Sequence, residues 1–208
     1  MIDQLNLFTN NLIIEQTICY PDTQSQIKAI SYILSKLFNN SETILEQFNY
    51  LNKHVIKKST KKINQKLPDK NEIFHYIKNI VKVADLSFDT IIISLIYVKR
   101  LNAKVNNPLT YTNWKPIICT SLMVASKVWD DLSMINIDFS LLFNYPLSYI
   151  NKWENLFLKE LSFNTNISAS EYSTIYFDMR HDMFFSKYAT NLRKTGNMKN
   201  LPISVNYE

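Results

Sequence analysis

Lys127 does not fit its surroundings. It falls in Val124-Ala125-Ser126-Lys127-Val128-Trp129, an otherwise apolar and small-residue run, where an ammonium group is costly to keep dry without acceptors. Asp130 and Asp131 follow at the end of the same predicted helix, where negative charge opposes the macrodipole by roughly 0.3–1 kcal/mol each. A snorkelling lysine and two helix-ending acids account for this group through solvation alone. A charged surface held ready for a partner accounts for it as well. The other residue types that could do chemistry are scattered. His54, His75 and His181 lie far apart, none with a metal-ligand partner at i+3 or i+4, and His75, flanked by apolar helix positions, reads as a core-edge residue. Asp178 and Asp182 are spaced as on a solvated helix face, and no serine has a base fixed beside it in the sequence. No catalytic site, metal site or cofactor is expected.

Glycine usage sharpens that exclusion. The 208 residues contain one glycine, Gly196, whereas phosphate-cradling loops, dinucleotide fingerprints and nucleophile elbows all need glycine where backbone approaches a ligand or turns sharply. β-Hairpins want glycine too, so its scarcity points to helices joined by short polar connections. Cys19 and Cys119 form neither a disulfide framework nor a zinc signature and suit a reducing compartment. Cys119 reads as a small buried core residue. The longest dense apolar run, Ile91 to Val98, falls short of the roughly 18 residues of a membrane span. The N-terminus has no signal-peptide pattern, and Ile2 leaves no glycine to myristoylate. The expectation is an intracellular protein, cytoplasmic or nuclear, without a membrane anchor. The net charge of +5 is concentrated in Lys53, Lys57, Lys58, Lys61, Lys62, Lys66 and Lys70, opposed there by Asp69 alone. Like charges at i and i+4 weaken an isolated helix, so this stretch reads as an exposed linker, with a docking strip for acidic partners or a localisation signal as the alternatives. The rest of the chain lacks the basic excess of a nucleic-acid-binding domain.

The elements that must position Lys127 follow from hydrophobic periodicity. A first amphipathic helix spans about Ser25 to Phe38, and a weaker stretch covers Ile44 to Leu51. Asp69 and Glu72 resemble a capping box opening a helix with Ile73, Phe74, Ile77, Ile80 and Val81. The next helix, from about Ser87, is apolar nearly all round and therefore lies inside a bundle; Asn106-Asn107-Pro108 break the chain after it. The helix bearing Lys127 starts near Thr112 or Asn113 with Pro116 in its first turn. Its small residues (Cys119, Thr120, Ser121, Ala125, Ser126) suggest a central position with close neighbours. A short helix at about 138–143 ends before Pro146. A fifth, amphipathic helix carries Ile150, Trp153, Phe157, Leu158 and Leu161, and Ser168 with Glu171 caps a further one.

Several of these segments resemble a known family. Asn113-Trp114-Lys115, Ala125-Ser126-Lys127-Val128-Trp129-Asp130-Asp131 and Asn136-Ile137-Asp138-Phe139 are similar to the cyclin box of the cyclin Y subfamily and of the nearby P-type cyclins. Phe157-Leu158-Lys159-Glu160-Leu161-Ser162-Phe163-Asn164 and Tyr176-Phe177-Asp178-Met179-Arg180 continue the likeness. The resemblance implies an all-α fold, a single five-helix cyclin box around a central helix with additional N- and C-terminal helices. The corresponding divisions are 1–52 as a helical extension, 53–70 as the lysine-rich linker, 71–165 as the box, 166–188 as a C-terminal helix and 189–208 as a flexible tail. It further implies a non-catalytic activating subunit of a cyclin-dependent kinase, with Lys127 and Glu154 forming a pair that touches the kinase. Asp130 and Asp131, acids that end their helix unfavourably, are expected to meet basic groups on such a partner. The hydrophobic-patch motif of mitotic cyclins is not visible between Glu72 and Val83. The alternative is a cyclin-like transcription or scaffold protein that binds nucleic acid or peptides without a kinase. Such proteins tend towards two boxes and broad basic surfaces.

Overall fold

The computed structural model describes residues 23–38, 68–105, 109–110 and 113–194. They form an all-helical unit, with no strand among the described residues. The elements are α1 (Thr23–Lys36), α2 (Lys70–Ala84), α3 (Phe88–Val105), α4 (Trp114–Trp129), α5 (Asn136–Phe143), α6 (Leu147–Glu160) and α7 (Ala169–Lys194). The Ile44–Leu51 stretch, the lysines from Lys53 to Lys66, Cys19, His54, the Asn106-Asn107-Pro108 break and the tail with Gly196 lie outside the described residues. The C-terminal helix continues beyond the expected end at 188, to Lys194.

α4 is the central helix. Trp114 and every residue from Pro116 to Ser126 are buried, which only an element covered on all sides can do. Thr120 Oγ1 donates to the Pro116 carbonyl at 2.7 Å and Ser121 Oγ to that of Ile118 at 2.8 Å, so these two hydroxyls make no demand on the neighbours. Cys119 is fully buried, and that burial pushes its thiol well above the ordinary range. α3 packs along α4, buried without interruption from Thr90 to Val98. α6 covers another side with Ile150, Trp153 and Phe157. On the outside, α1 lays Ile27, Ile30 and Leu34 against the core beside α2, each such side chain contributing about 1.5–3 kcal/mol when buried. α7 crosses α1 and α3.

Helix ends are solved almost without glycine. Asp69 Oδ1 accepts from the backbone N–H groups of Asn71 and Glu72, each at 2.8 Å, capping α2. The anticipated reciprocal arm is directed elsewhere, since Glu72 faces Lys115 at 3.7 Å. Ser168 likewise accepts from Glu171 N at 3.1 Å, while the Glu171 carboxylate is taken by Arg100. At the C-terminal ends of α2 and α5, Asp85 and Asn144 adopt left-handed backbone with φ of 48° and 53°, a conformation their short polar side chains tolerate better than other non-glycine residues do. His75 is exposed, edge-on to Phe74, further out than its apolar neighbours in the sequence suggest.

Candidate functional site

Burial fixes where Lys127 and Glu154 emerge. Ser126 and Trp153 are buried on two helices that pack together, and a step of about 100° along each helix brings the next residue to the rim. Lys127 Nζ donates to Glu154 Oε1 at 2.6 Å and also to Asn136 Oδ1. Asn136, the first residue of α5, donates through Nδ2 to Glu154 Oε2 at 2.6 Å and to Asn151 Oδ1 at 2.7 Å. Three helices therefore meet in a closed polar ring of zero net charge. The Lys127 and Glu154 side chains are 27% and 20% exposed, neither buried nor free. Lys127 in the last turn of α4 also sits favourably against that helix's dipole.

Around the ring, large apolar side chains face outward. Val128 and Trp129 precede the α4–α5 connection, Trp129 being 44% exposed, and Leu132 within it is 95% exposed. Ile135, Ile137 and Leu141 are exposed on and before α5. Scattered surface leucines are ordinary, but here six large apolar side chains are exposed within one short segment.

Trp129 is nonetheless held. Its indole Nε1 donates to Tyr97 Oη at 3.0 Å, and Tyr97 donates onward to the Thr165 carbonyl at 2.7 Å. Burial pushes the Tyr97 phenol up, against a lowering by the Trp129 hydrogen bond, so Tyr97 keeps the proton it donates. The α6–α7 connection is further clamped by Arg100. Its guanidinium meets both Glu171 oxygens (2.9 and 2.5 Å) and the carbonyls of Asn164 and Asn166 (2.9 and 2.8 Å). Within this clamped turn Ser162 and Phe163 both have φ of 55°, and the Phe163 ring is 62% exposed. A left-handed aromatic residue is a true outlier. Strain of this kind is characteristic of functional sites.

Asp130 and Asp131 part company. Asp130 Oδ1 accepts from Thr90 Oγ1 at 2.6 Å, and the Thr90 and Ser87 hydroxyls are 2.8 Å apart. The Asp130 carboxylate thus lies at the first turn of α3, whose dipole favours it. Asp131 is exposed. The structure brings Lys127 and Glu154 together, the two residues that the resemblance pairs. The sequence leaves Asn136, Tyr97 and Phe163 without a role, although Asn136 and Phe163 stand inside the recognisable motifs.

The cyclin family profile matches residues 24–165, well over half of the chain. The chain belongs to the cyclin family. The match takes in α1 as well as α2 to α6, so the helix ahead of the lysine-rich segment falls inside the matched region of this cyclin. Cyclins are regulatory proteins rather than catalysts. Among the described residues no group of histidine, cysteine and acidic side chains could hold a metal ion, and no helix is long and apolar enough to cross a membrane.

Proposed function

We propose that this cyclin is the activating subunit of a cyclin-dependent kinase, within the Y-like or P-type branch that its motifs resemble. It docks on the kinase small lobe and holds inward the helix whose glutamate pairs with the ATP-binding lysine. The kinase supplies all phosphoryl-transfer chemistry. The observation that carries this reading is the Lys127–Glu154 pair, already formed in the free protein at 2.6 Å and bordered by the exposed Val128, Trp129, Leu132, Ile137 and Leu141. A polar anchor inside an apolar surface suits an interface that must be both tight and selective. The Phe163 backbone is linked to Trp129 through Thr165 and Tyr97, and we take its exposed side chain as a further contact in this reading.

The test is co-purification with a panel of purified cyclin-dependent kinase catalytic subunits, followed by phosphorylation of a peptide substrate. At least one kinase is expected to bind and gain activity, with the isolated chain neither binding nor hydrolysing ATP. Failure of every kinase to bind, or tight ATP binding by the isolated chain, refutes the reading.

A further inference from the structure

We propose that Asn136 is the positioning residue of the Lys127–Glu154 anchor, fixing its geometry before any partner arrives. This rests on the kinase-binding reading for its functional consequence, but not for its structural core. Lys127 alone could reach Glu154 in many rotamers, since a lysine ammonium is a point charge on a flexible stem. Asn136 removes that freedom. Its Oδ1 accepts from Lys127 Nζ and its Nδ2 donates to Glu154 Oε2 at 2.6 Å, so both partners of the salt bridge are also tied to a third point.

Chemistry sets the direction of the amide. Flipped, its NH2 would face the ammonium and its oxygen the carboxylate, two repulsive contacts in place of two charge-assisted hydrogen bonds. The second Nδ2 hydrogen goes to Asn151 Oδ1 at 2.7 Å, one helical turn before Glu154 on α6, which fixes the orientation from a further side. Asn136 is also the first residue of α5. The adjoining Ile135 N–H is held by Asp138 Oδ2 at 3.1 Å, so the amide stands on a capped helix end rather than a loose loop. Asparagine alone among short side chains offers one strong acceptor and one strong donor at this reach. Alanine removes both, and aspartate keeps the acceptor but sets a second carboxylate against Glu154.

The experiment compares Asn136→Ala, Asn136→Asp and the double variant Asn136→Asp/Glu154→Gln. The double variant moves the carboxylate from α6 to α5 while keeping the ring's net charge and its complement of donors and acceptors. Two quantities are read. One is the lysine ammonium NMR signal of Lys127 in the free protein, assigned by its loss in Lys127→Arg. The other is affinity for the kinase subunit that the wild-type chain binds. An ordered Lys127 signal is expected in the wild type, lost in both single variants and regained in the double variant. Kinase affinity is expected to fall about ten-fold to a hundred-fold in the single variants, the scale of a lost charge-assisted hydrogen bond, with helix content retained. An ordered Lys127 in both single variants overturns the proposal, as does a double variant no better ordered than Asn136→Asp. If no kinase binds the wild-type chain, the functional reading fails by itself, and the Lys127 signal still decides the role of Asn136.

Discussion

Truncating the Lys127–Glu154 pair from either side separates an interface anchor from a structural brace. In the free protein the two side chains are 27% and 20% exposed, and the ring leaves each survivor a partner. Lys127→Ala strands Glu154 with Asn136 Nδ2, and Glu154→Ala strands Lys127 with Asn136 Oδ1. The cost to the fold therefore lies between that of an exposed pair, about 0.2–1 kcal/mol, and that of a broken buried pair, about 3–5 kcal/mol. About 1–2 kcal/mol is expected, a fall of about 2–8 °C in melting temperature. Against the kinase, water leaves the site, and an unpaired charge then costs about 2–5 kcal/mol, or about thirty-fold to five thousand-fold in affinity. The double alanine variant leaves no orphan charge and should lose less than the two single losses added together. Melting curves and binding isotherms on the same preparations measure both effects. Unchanged kinase affinity in both single variants refutes the anchor. Affinity loss that merely tracks lost folded protein reduces the pair to a brace.

Phe163→Gly relieves a left-handed residue and should raise the melting temperature by about 2–4 °C, a gain of about 1 kcal/mol, while weakening kinase binding through loss of an exposed ring; a lower melting temperature contradicts the strain argument. Tyr97→Phe leaves Trp129 Nε1 and the Thr165 carbonyl without their present partner and should destabilise the chain by about 1–3 kcal/mol in urea titrations. Asp131→Asn should slow kinase association at low salt and reduce its salt dependence, whereas Asp130→Asn should chiefly lower stability through Thr90; equal association rates for wild type and Asp131→Asn remove the steering role. Burial, with Cys119 beside it, pushes the Tyr145 phenol from 10.0 up to about 12. The folded state thus keeps a proton that the unfolded chain loses, and stability should fall as pH rises through that window, readable as a decreasing urea midpoint that a flat profile would contradict.

Much of the fold was legible because burial imposes periodicity. The all-round apolar run Ile91 to Val98 and the small-residue run around Ser121 could belong only to covered helices, and these became α3 and the central α4. Capping signals were half legible. The N-cap oxygens of Asp69 and Ser168 bond as expected, because those partners are local. Their glutamate arms turn to Lys115 and Arg100, cations brought near only by tertiary packing. The left-handed ends at Asp85 and Asn144 fit their residue types, but nothing about Ser162 and Phe163 announces that backbone. The Ser162 and Phe163 N–H groups close it locally on the Lys159 and Leu158 carbonyls at 2.9 and 2.8 Å, and Lys104, from α3, donates to the Glu160 carbonyl and to Ser162 Oγ at 2.7 and 2.8 Å.

The site divides along the same line. Within α4 alone, Asp130 opposes the dipole of its own helix. Packing sets the end of α4 beside the start of α3, where the Asp130 carboxylate meets Thr90, so the unfavourable end of one dipole is offset by the favourable end of another. Asn136 shows the converse. Its residue type was visible, but its value lies in standing between an ammonium and a carboxylate contributed by two other helices. A ring assembled in advance spares a partner the cost of ordering a long lysine side chain, about 1.5–2 kcal/mol of rotamer entropy. In the proposed complex, Trp129, Leu132 and their exposed neighbours would supply apolar area, while the ring would decide which partner surface can lie over it without stranding a charge.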